Sequence, residues 1–365
     1  MQVLFKKGKW VETVKQIETM KAVTVYGPYD ARMEEVPKPE AAGDNLVMKV
    51  LRTGVCATDL SIYTGKSSFI QTGEITYPCR FGHEWAGVVE SVGENVSGFR
   101  PGDRVYADNF VSCGKCEACR RGDYMDCREI RSVGTVHCWD GCYAEYMVMP
   151  ERHVYHLPDT ISMDEGALFE PGSIAYDAFR GMTLTKQDTV AVFGTGAIGM
   201  ISVWIAKYIG AGQVILVGRT DEKLKTGKLL GADYLVNSRR EDAVSRIQAL
   251  TDGEGIGYAV ETSGNPTALC QCILATKRYA RISVVGFYED NINIPMDNMV
   301  LGCKTLTGAA GRYGNMPAFC RMMQENPVKL TPVITHHVPF GRCLDVFENE
   351  KNYHNTKIKV MIDFA

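Results

Sequence analysis

The alternation of strand-like and helix-like segments after residue 189 is the feature that most constrains the fold of this chain. The strand-like run Thr189–Phe193 is followed by a helical pattern to about Ile209 and then by a second strand-like run, Gln213–Val217. Helical stretches separate three further strand-like runs, Tyr234–Val236, Gly257–Glu261 and Arg281–Val285. Because this pattern builds a parallel sheet covered by helices on both faces, an α/β fold with a doubly wound sheet is expected.

A glycine-rich turn marks the place where such a sheet binds a nucleotide. The segment GTGAIG joins the strand TVAVF to an apolar helix. Gly194 permits the tight turn, Gly196 lets the backbone approach a pyrophosphate, and Gly199 lets the helix pack closely on the strand. The helix N-terminus, at Ala197 and Ile198, then faces the anion. We therefore predict a Rossmann domain that binds a nicotinamide dinucleotide, rather than an ordinary glycine turn.

The end of the second strand indicates which dinucleotide is bound. Enzymes selective for NAD usually carry an acidic residue here, which accepts hydrogen bonds from the ribose hydroxyls. This chain has Gly218, Arg219 and Thr220 instead. Gly218 removes a carboxylate that would repel a 2′-phosphate, Arg219 supplies a charge-assisted contact to it, and Thr220 supplies a hydroxyl. NADP(H) is the predicted coenzyme; the alternative is that Arg219 is solvated and stacks on adenine without selectivity.

The chain before about residue 160 has a different pattern, with short strand-like runs broken by glycine and proline. These runs are Ala22–Tyr26, Leu46–Thr53, Ala86–Val92 and Ala144–Met149. Strands at this spacing predict a mostly antiparallel β domain. A helical pattern follows at Asp164–Phe179, and the last strand-like run is Lys357–Ile362. Residues 1–19 precede the first strand and are predicted to be an N-terminal extension.

Four cysteines in one loop form the strongest metal motif. Cys113, Cys116, Cys119 and Cys127 have the spacing C-x2-C-x2-C-x7-C. Four thiolates this close in sequence can surround Zn²⁺ as a tetrahedron and leave no open coordination position. Iron–sulfur clusters also use four cysteines, but their common spacings differ. The chain has 13 cysteines and no export signal, so metal binding explains the cluster better than disulfides do. A structural zinc site is predicted.

Two further segments carry candidate ligands of a catalytic metal. GVCATD contains Cys56 at the end of a strand, and GHEWAG contains His83 and Glu84 ahead of another strand. Taken alone, these three residues are as compatible with packing and hydrogen bonding as with metal binding. Their spacing by itself does not decide between the two.

The motifs together resemble the medium-chain dehydrogenase/reductase family. The two segments, the four-cysteine loop and the GxGxxG unit occur in that family's order, and GHEWAGVVESVG resembles its zinc-containing alcohol dehydrogenase signature. GFRPGDRV and GADYLVN are also similar to family segments, and the resemblance runs from about Met20 to the C-terminus. It implies a GroES-like catalytic domain over residues 20–180 and 320–365 around a Rossmann domain over residues 181–319.

The resemblance also implies a catalytic zinc site. Cys56 and His83 would be firm ligands, and Glu84 would be a third ligand or one that exchanges with water. Glu170, in the segment ALFEP, stands where many simple alcohol dehydrogenases carry cysteine. It would bind zinc directly or through water; the alternative is a helix-start carboxylate without a metal role. This carboxylate-rich set is closest to the polyol (sorbitol) and threonine dehydrogenase branch.

Two polar residues beside Cys56 complete the implied site. Thr58 stands where the family carries the hydroxyl that hydrogen-bonds the reacting alcohol, and Asp59 stands where a carboxylate orients the ligand histidine. The implied activity is hydride transfer between NADP(H) and a secondary alcohol or ketone, such as a polyol or sugar derivative. The alternatives are an NADPH-dependent reductase of apolar ketones or aldehydes, and a non-catalytic zinc-binding interaction protein. Candidate pocket residues are Tyr63, Phe69 and Trp139.

Composition and charge limit the partners. An apolar share of 45% and a charged share of 23% are those of a soluble globular protein. The net charge of −3 gives no electrostatic reason to expect nucleic acid. No apolar run reaches the ~18 residues that span a bilayer, and the N-terminus lacks a secretory signal. We therefore expect a cytoplasmic enzyme with a small-molecule substrate, and the resemblance implies a homo-oligomer, either dimer or tetramer.

Overall fold

A computed structural model describes residues 2–6, 9–13, 17–288, 291–349 and 356–365. The first part of the chain is mostly β-structure. Its strands, in chain order, are β1 (Gln2–Lys6), β2 (Lys9–Thr13), β3 (Thr19–Gly27), β4 (Asp30–Pro37), β5 (Asn45–Gly54), β6 (Glu84–Val92), β7 (Arg104–Ala107), β8 (Phe110–Val111), β9 (Arg131–Ser132), β10 (Tyr146–Pro150) and β11 (Val154–His156).

The predicted extension is partly described. Residues 1, 7–8 and 14–16 lie outside the described residues, while β1 and β2 pair antiparallel as a two-stranded sheet of their own. The next strand, β3, begins at Thr19, one residue before the predicted boundary, and pairs with β4.

The alternating part of the chain forms a six-stranded sheet. Its strands are β12 (Thr189–Phe193), β13 (Gln213–Gly218), β14 (Tyr234–Asn237), β15 (Ile256–Glu261), β16 (Thr276–Val284) and β17 (Thr305–Gly308). The strand order is β14-β13-β12-β15-β16-β17, and all five neighbouring pairs run parallel. This is the order of a doubly wound dinucleotide-binding sheet, so the predicted α/β fold class is confirmed. β17 had no counterpart among the predicted strands.

Helices cover both faces of this sheet. The helices of the chain are α1 (Ala57–Tyr63), α2 (Ser68–Gln71), α3 (Glu117–Arg120), α4 (Met163–Gly166), α5 (Phe169–Ala178), α6 (Ala197–Tyr208), α7 (Asp221–Leu229), α8 (Ala243–Leu250), α9 (Pro266–Ala275), α10 (Met296–Leu301), α11 (Asn315–Glu325) and α12 (Asp345–Glu348). In β12, Val190 and Val192 pack in the core that contains α6, whereas Ala191 and Phe193 pack in the core that contains α8 and α9. Successive side chains of a strand point to opposite faces, so both faces are buried.

The end of the chain returns to the β-rich part. The last strands are β18 (Ile334–Pro339) and β19 (Lys359–Asp363). They join a seven-stranded sheet of order β11-β7-β6-β5-β19-β18, in which β10 also pairs with β5. β19 pairs antiparallel with β5, and the parallel pair β18–β19 is the exception in this sheet. The C-terminal strand β19 therefore lies in the same sheet as β5.

The predicted helical segment 164–179 is two helices, α4 and α5, separated by a break at 167–168. α5 carries Glu170 in its first turn. A Cβ on Gly172 in the same helix would lie 2.2 Å from the ring of Phe319 in α11. The glycine therefore provides the space into which α11 packs. No helix within the described ranges has the length and apolar character needed to cross a membrane.

Candidate catalytic, zinc and nucleotide sites

The ligand atoms of Cys56, His83 and Glu84 lie within 4.8 Å of one another. Cys56 caps the start of α1 just after β5, and Glu84 is the first residue of β6. β5 and β6 are antiparallel neighbours, with Gly54 opposite Glu84, so the end of one strand meets the start of the other. The sheet register thus brings together three side chains that are separated by up to 28 positions in sequence.

Gly54 makes room for this arrangement. A Cβ at this position would lie only 2.1 Å from Oε2 of Glu84. Real side chains do not approach so closely, so any residue larger than glycine would displace the Glu84 carboxylate. The glycine of the GVCATD segment is therefore part of the geometry of the site.

Asp59 connects two of the three candidate ligands. Its Oδ2 atom accepts hydrogen bonds from the backbone amide of Cys56, at 2.9 Å, and from the Tyr143 hydroxyl, at 2.7 Å. Its Oδ1 atom lies 3.3 Å from Nδ1 of His83, although the angle between them is poor for a hydrogen bond. Burial would lower the pKa of His83, but the charges of Asp59 and Cys56 outweigh it and hold that pKa well above its ordinary value. Asp59 thus lies where the resemblance placed a carboxylate that orients the histidine.

Lys359 forms a buried ion pair with Glu84 that no sequence motif indicated. Its Nζ atom lies 2.7 and 2.6 Å from the two carboxylate oxygens of Glu84 and 3.1 Å from the carbonyl oxygen of Val55. Burial opposes the charged form of Lys359, but the neighbouring Glu84 carboxylate outweighs burial and raises the pKa of the lysine. The two residues are 275 positions apart in sequence. Both carboxylate oxygens of Glu84 are therefore within hydrogen-bond distance of the lysine amine in this conformation.

Replacing Lys359 by methionine is expected to lower the free energy of unfolding by about 3–5 kcal/mol, because it leaves the Glu84 carboxylate buried without its counter-charge. Chemical denaturation of the metal-free protein measures the change, because bound zinc would supply the Glu84 carboxylate with another counter-charge. Lys359→Arg is the matched control, since it keeps the charge, and adding Glu84→Gln to Lys359→Met should recover part of the loss. Equal stability of Lys359→Met and the unchanged protein would contradict the ion-pair assignment.

Glu170 lies outside the group of three but faces it. Asn109 donates a hydrogen bond to its Oε1 atom at 2.6 Å. Burial raises the pKa of Glu170 to about 7, with a further increase from Glu84 and opposing effects from His83 and Lys359. The structure therefore places Glu170 within electrostatic reach of the other candidate ligands without bringing its oxygens into their 4.8 Å group. Asn109, which anchors the carboxylate, was not singled out from the sequence.

The donor set of this site fits zinc. A thiolate, an imidazole and carboxylates are zinc ligands, and three protein ligands leave the open position that a catalytic site requires. Thr58, in the first turn of α1, is two residues from Cys56 and partly exposed. Cys56, His83 and Glu84 thus meet at the junction of β5 and β6, with Glu170 of α5 within electrostatic reach.

The four predicted structural ligands also lie together. The sulfur atoms of Cys113, Cys116, Cys119 and Cys127 are within 4.8 Å of one another. The Cys113–Cys119 and Cys116–Cys119 sulfur distances are 3.9 and 3.4 Å. A ZnS₄ tetrahedron with ~2.3 Å bonds has sulfur atoms about 3.8 Å apart, so the cluster fits zinc. The backbone amide of Cys119 lowers the pKa of the Cys116 thiol to about 6, which favours the thiolate.

His153, to which the sequence assigned no role, holds the start of this loop. The backbone amide of Ser112 donates to its Nε2 atom at 3.1 Å, and its Nδ1 atom lies 3.1 Å from Oδ2 of Asp108. An acceptor Nε2 implies the neutral tautomer with its proton on Nδ1. The histidine therefore acts as a buried hydrogen-bonding residue beside Cys113, not as a metal ligand.

The glycine motif adopts the predicted strand–turn–helix geometry. Gly194 follows β12 with φ of +119°, a conformation that favours glycine, and Gly196 caps α6. A Cβ on Gly199 would lie 2.1 Å from the carbonyl oxygen of Gly194, so this glycine allows the close helix–strand contact. A Cβ on Gly196 would meet nothing within 4 Å, which leaves space in front of Ala197 and the helix N-terminus. This space fits a dinucleotide pyrophosphate.

The end of β13 carries the predicted coenzyme-selecting residues. A Cβ on Gly218 would lie 2.3 Å from the methyl group of Thr195, so a larger residue here requires the Thr195 side chain to shift. Arg219 is exposed and Thr220 is the N-cap of α7. Burial lowers the pKa of Lys223, and the nearby cations Lys357 and Arg219 lower it further. Positive charges from both parts of the chain therefore lie near the end of β13.

The three candidate pocket residues differ in their surroundings. Tyr63 is buried against Tyr29 and Phe347 in the core of the catalytic part. Trp139 donates its indole N–H to the carbonyl oxygen of Val148 at 2.7 Å. Phe69 contacts Phe287, from the segment after β16, with ring centroids 5.9 Å apart. Of the three, Phe69 is the one that contacts the nucleotide-binding part of the chain through an aromatic ring.

Comparison with known proteins identifies the class. Residues 42–159 match the alcohol dehydrogenase GroES-like domain, and residues 197–325 match the zinc-binding dehydrogenase domain. The sorbitol dehydrogenase of Bacillus subtilis (strain 168) is 31% identical over 351 residues, covering 94% of this chain and 97% of that protein. The L-threonine 3-dehydrogenase of Pyrococcus abyssi is 33% identical over 338 residues, covering 92% and 95%. The crystal structure of 2R,3R-butanediol dehydrogenase from Bacillus subtilis has a TM-score of 0.83 at 27% identity, covering 94% and 99%.

These matches and the two-part fold define a zinc-binding dehydrogenase with a GroES-like domain. The chain belongs to the zinc-containing alcohol dehydrogenases of the medium-chain dehydrogenase/reductase family, with relatives in the polyol and threonine dehydrogenase branch. It is an NAD(P)-dependent oxidoreductase that acts on a small molecule, and the family resemblance noted from the motifs is confirmed. The alternative of a non-catalytic interaction protein has no support from these relatives.

Proposed function

We propose that the protein transfers a hydride between NADP(H) and a secondary alcohol or ketone, with a polyol or sugar derivative as substrate. The observation that carries this proposal is the carboxylate-rich candidate zinc site, in which Glu170 lies within electrostatic reach of His83 and Glu84. By the family resemblance, Glu170 stands where simple alcohol dehydrogenases have a thiolate. The relatives named above support it, since sorbitol, L-threonine and 2R,3R-butanediol each contain a secondary alcohol.

The proposed ligands of the catalytic zinc are Cys56, His83, Glu84 and Glu170, with Glu84 exchanging between the metal and Lys359. When bound, zinc supplies Lewis-acid polarisation of the substrate oxygen, which lowers the pKa of an alcohol and activates a carbonyl. The proposed role of the Asp59 carboxylate, whose Oδ1 atom lies 3.3 Å from Nδ1 of His83, is to orient the imidazole by electrostatic attraction. The proposed structural zinc is held by the four cysteines of the 113–127 loop, which makes two zinc ions per chain.

Thr58 is the proposed proton carrier. Oxidation of an alcohol releases the hydroxyl proton as the hydride leaves carbon, and a positioned hydroxyl group can pass that proton towards solvent. Thr58 is partly exposed in the first turn of α1, beside the ligand Cys56. Its partial exposure gives the side chain access to water, and its closeness to Cys56 supports a contact with the substrate.

Thr58→Ala is expected to lower kcat by on the order of 10²–10⁴-fold, the usual contribution of a general acid–base group. Thr58→Ser retains the hydroxyl and should keep most of the activity, so it serves as the matched control. Steady-state rates and zinc content are measured for both variants. Wild-type turnover by Thr58→Ala at unchanged zinc content would rule out this role.

The proposed selectivity for NADP(H) rests on the end of β13. Gly218 leaves no carboxylate to repel a 2′-phosphate, and Arg219 and Thr220 offer donors to it. The influence of Arg219 and Lys357 on the pKa of Lys223 supports a positively charged environment there. The proposed dinucleotide contacts of the glycine motif are made by Gly194, Gly196, Ala197, Ile198 and Gly199.

A second candidate substrate class is apolar ketones or aldehydes, favoured by the contact of Phe69 with the exposed ring of Phe287. Phe287 follows the carboxyl end of β16, the edge of the sheet at which coenzyme and substrate bind in this type of fold. A spectrophotometric screen of NADPH oxidation against ketoses and against hydrophobic ketones separates the two classes. The primary proposal expects ketoses to give the higher kcat/KM; higher values for hydrophobic ketones would replace it with the second.

The proposed homo-oligomer forms through the edge strand β17. All four residues of β17 are exposed. Among the described strands β17 pairs only with β16, so the backbone groups of its other edge are available to a further strand. Exposed apolar side chains lie on the adjacent segments, at Tyr279, Met296, Val300 and Leu301. An exposed edge strand flanked by apolar side chains is suited to pairing with a second copy.

Leu306→Lys in β17 is expected to shift the protein from dimer or tetramer towards a smaller species, because it places a charge in the middle of the proposed interface. Light scattering coupled to size-exclusion chromatography measures the mass. Leu229→Lys, which also introduces a charge at an exposed leucine but on α7, should leave the mass unchanged. A Leu306→Lys protein with the wild-type mass would exclude β17 as the interface.

We also propose the domain boundaries expected from the resemblance: a catalytic domain of residues 20–180 and 320–365 and a coenzyme domain of residues 181–319, after an extension of residues 1–19. The sheets support this division, since β5 pairs with β19 in one sheet and β12–β17 form the other. A cytoplasmic location is proposed because thiolate ligands must remain reduced to bind zinc.

A further inference from the structure

A cavity of about 250 Å³ lies between the end of α5 and the strands β16 and β17. Three arginines line it: Arg180, just after α5, Arg281 in β16, and Arg312 in the segment before α11. Asp177 is the one carboxylate among its lining residues. We call this cavity the arginine pocket. None of its lining residues belongs to the candidate zinc sites or to the glycine motif.

Two of the arginines are held in fixed positions by buried groups. Oδ1 of Asp177, whose side chain is 4% exposed, lies 3.2 Å from Nε of Arg180 and 3.5 Å from Nε of Arg312. Asn315 contacts both members of the Asp177–Arg180 ion pair. Its Nδ2 atom donates to Asp177 at 3.3 Å, and its Oδ1 atom accepts from Arg180 at 3.0 Å. The guanidinium groups of Arg180 and Arg312 are therefore preorganised while remaining half exposed.

Arg281 is in a different situation. Its guanidinium lies against Gly181, where a Cβ would be 3.3 Å from its Nη2 atom. Within the described residues, no carboxylate lies at ion-pair distance from Arg281. Since Asp177 compensates one of three guanidinium charges, the arginine pocket has a surplus of two positive charges.

We propose that the arginine pocket binds a small molecule through a phosphate group. A phosphate dianion matches the surplus of two charges, and guanidinium groups bind phosphate oxygens through paired N–H donors. The hydroxyl of Thr307 also lines the cavity and adds a donor. The volume exceeds that of a phosphate ion, so the pocket has room for the first carbons of a phosphate monoester as well as for free phosphate.

Calorimetric titration of the zinc-loaded protein with inorganic phosphate tests the site. Saturating coenzyme is present throughout, because phosphate could otherwise enter the nucleotide site. The same titration with ethyl phosphate, which has no alcohol group that the catalytic site could oxidise, distinguishes a monoester from the free ion. Potassium chloride of equal ionic strength controls for general salt effects. Saturable binding of one phosphate per chain is expected for the unchanged protein.

The variants decide whether this binding occurs in the arginine pocket. Arg281→Gln and Arg180→Gln should each weaken phosphate binding at least tenfold, whereas Lys277→Gln, which removes an exposed charge from the same strand, should not change it. Tighter binding of ethyl phosphate would assign the pocket to a monoester, and equal or tighter binding of free phosphate would assign it to the ion. The proposal is overturned by absence of saturable binding, by an equal response to chloride, or by unchanged binding in both arginine variants. It is also overturned if Lys277→Gln weakens binding as much as they do.

Discussion

Replacing Cys56 by alanine should lower kcat/KM by on the order of 10⁴-fold and reduce bound zinc from two ions to one per chain. Lewis-acid polarisation by a metal contributes several kcal/mol to transition-state stabilisation, and about 5 kcal/mol corresponds to that factor. Cys56 is the one thiol in the candidate catalytic group, and its ligand atom lies within 4.8 Å of those of His83 and Glu84. Removing it leaves an incomplete set of donors for the metal.

The four-cysteine loop makes the experiment specific. Its sulfur atoms form a separate cluster, so one zinc ion should remain in the Cys56→Ala protein and the fold should be retained. Metal analysis by mass spectrometry gives the count, and circular dichroism checks the fold. Cys142→Ala is the matched control, since its buried thiol lies 3.9 Å from the backbone oxygen of Glu84 but outside the ligand group. Two bound zinc ions in Cys56→Ala would show that the assignment of Cys56 is wrong.

The same measurements apply to Glu170. If its carboxylate binds zinc directly, Glu170→Gln should lower both zinc affinity and kcat; if it acts through water, kcat should fall at unchanged zinc affinity. The raised pKa of about 7 adds a pH dependence to the first case. The ligand form is the deprotonated carboxylate, so zinc affinity should increase as the pH rises through this value, and Glu170→Gln should remove that part of the increase.

Replacing Arg219 by alanine is expected to lower kcat/KM for NADPH about 100-fold while changing that for NADH by less than about threefold. A hydrogen bond to a charged group contributes about 1.5–3 kcal/mol, and the upper part of this range corresponds to a factor of 100. The loss should be confined to NADPH, because only this coenzyme has the 2′-phosphate that Arg219 is proposed to contact.

Lys225→Ala is the matched control for charge. Lys225 is an exposed cation of α7, two residues from the partly buried Lys223, so it lies on the other side of the helix. It should leave both coenzymes unaffected. Equal kcat/KM values for NADPH and NADH in the unchanged protein, or equal losses in Arg219→Ala, would defeat the proposed selectivity.

The packing of Gly218 shows how a change of coenzyme would have to be made. Because a Cβ here would meet the methyl group of Thr195 at 2.3 Å, an aspartate at this position requires the Thr195 side chain to shift. Making Thr195 smaller at the same time would provide space for a carboxylate that contacts the ribose hydroxyls. The sequence explained Gly218 by charge, and the structure adds a steric reason that spacing alone could not supply.

Local features of the site followed from the sequence, whereas long-range pairings did not. The four cysteines and the glycine motif lie within short segments, and their chemistry restricts the geometry they can adopt. Glu84 and Lys359 are joined only because β19 returns to the sheet of β5, and no periodicity connects positions so far apart. The hydrogen bond from Asn109 to Glu170 likewise joins residues 61 positions apart, which no local motif connects. The resemblance supplied the ligand set, but not these partners.

The position of β19 also affects the order in which the protein can assemble on the ribosome. The strands of the coenzyme sheet, β12 to β17, are complete once residue 308 has emerged. The catalytic sheet must wait for residues 359–363, although five of its seven strands precede residue 157. The first-made part of the chain therefore stays unfinished until translation is almost complete, with the Glu84 carboxylate lacking its lysine. Nascent chains stalled before β19 should accordingly be more sensitive to proteolysis in the catalytic part than in the coenzyme part.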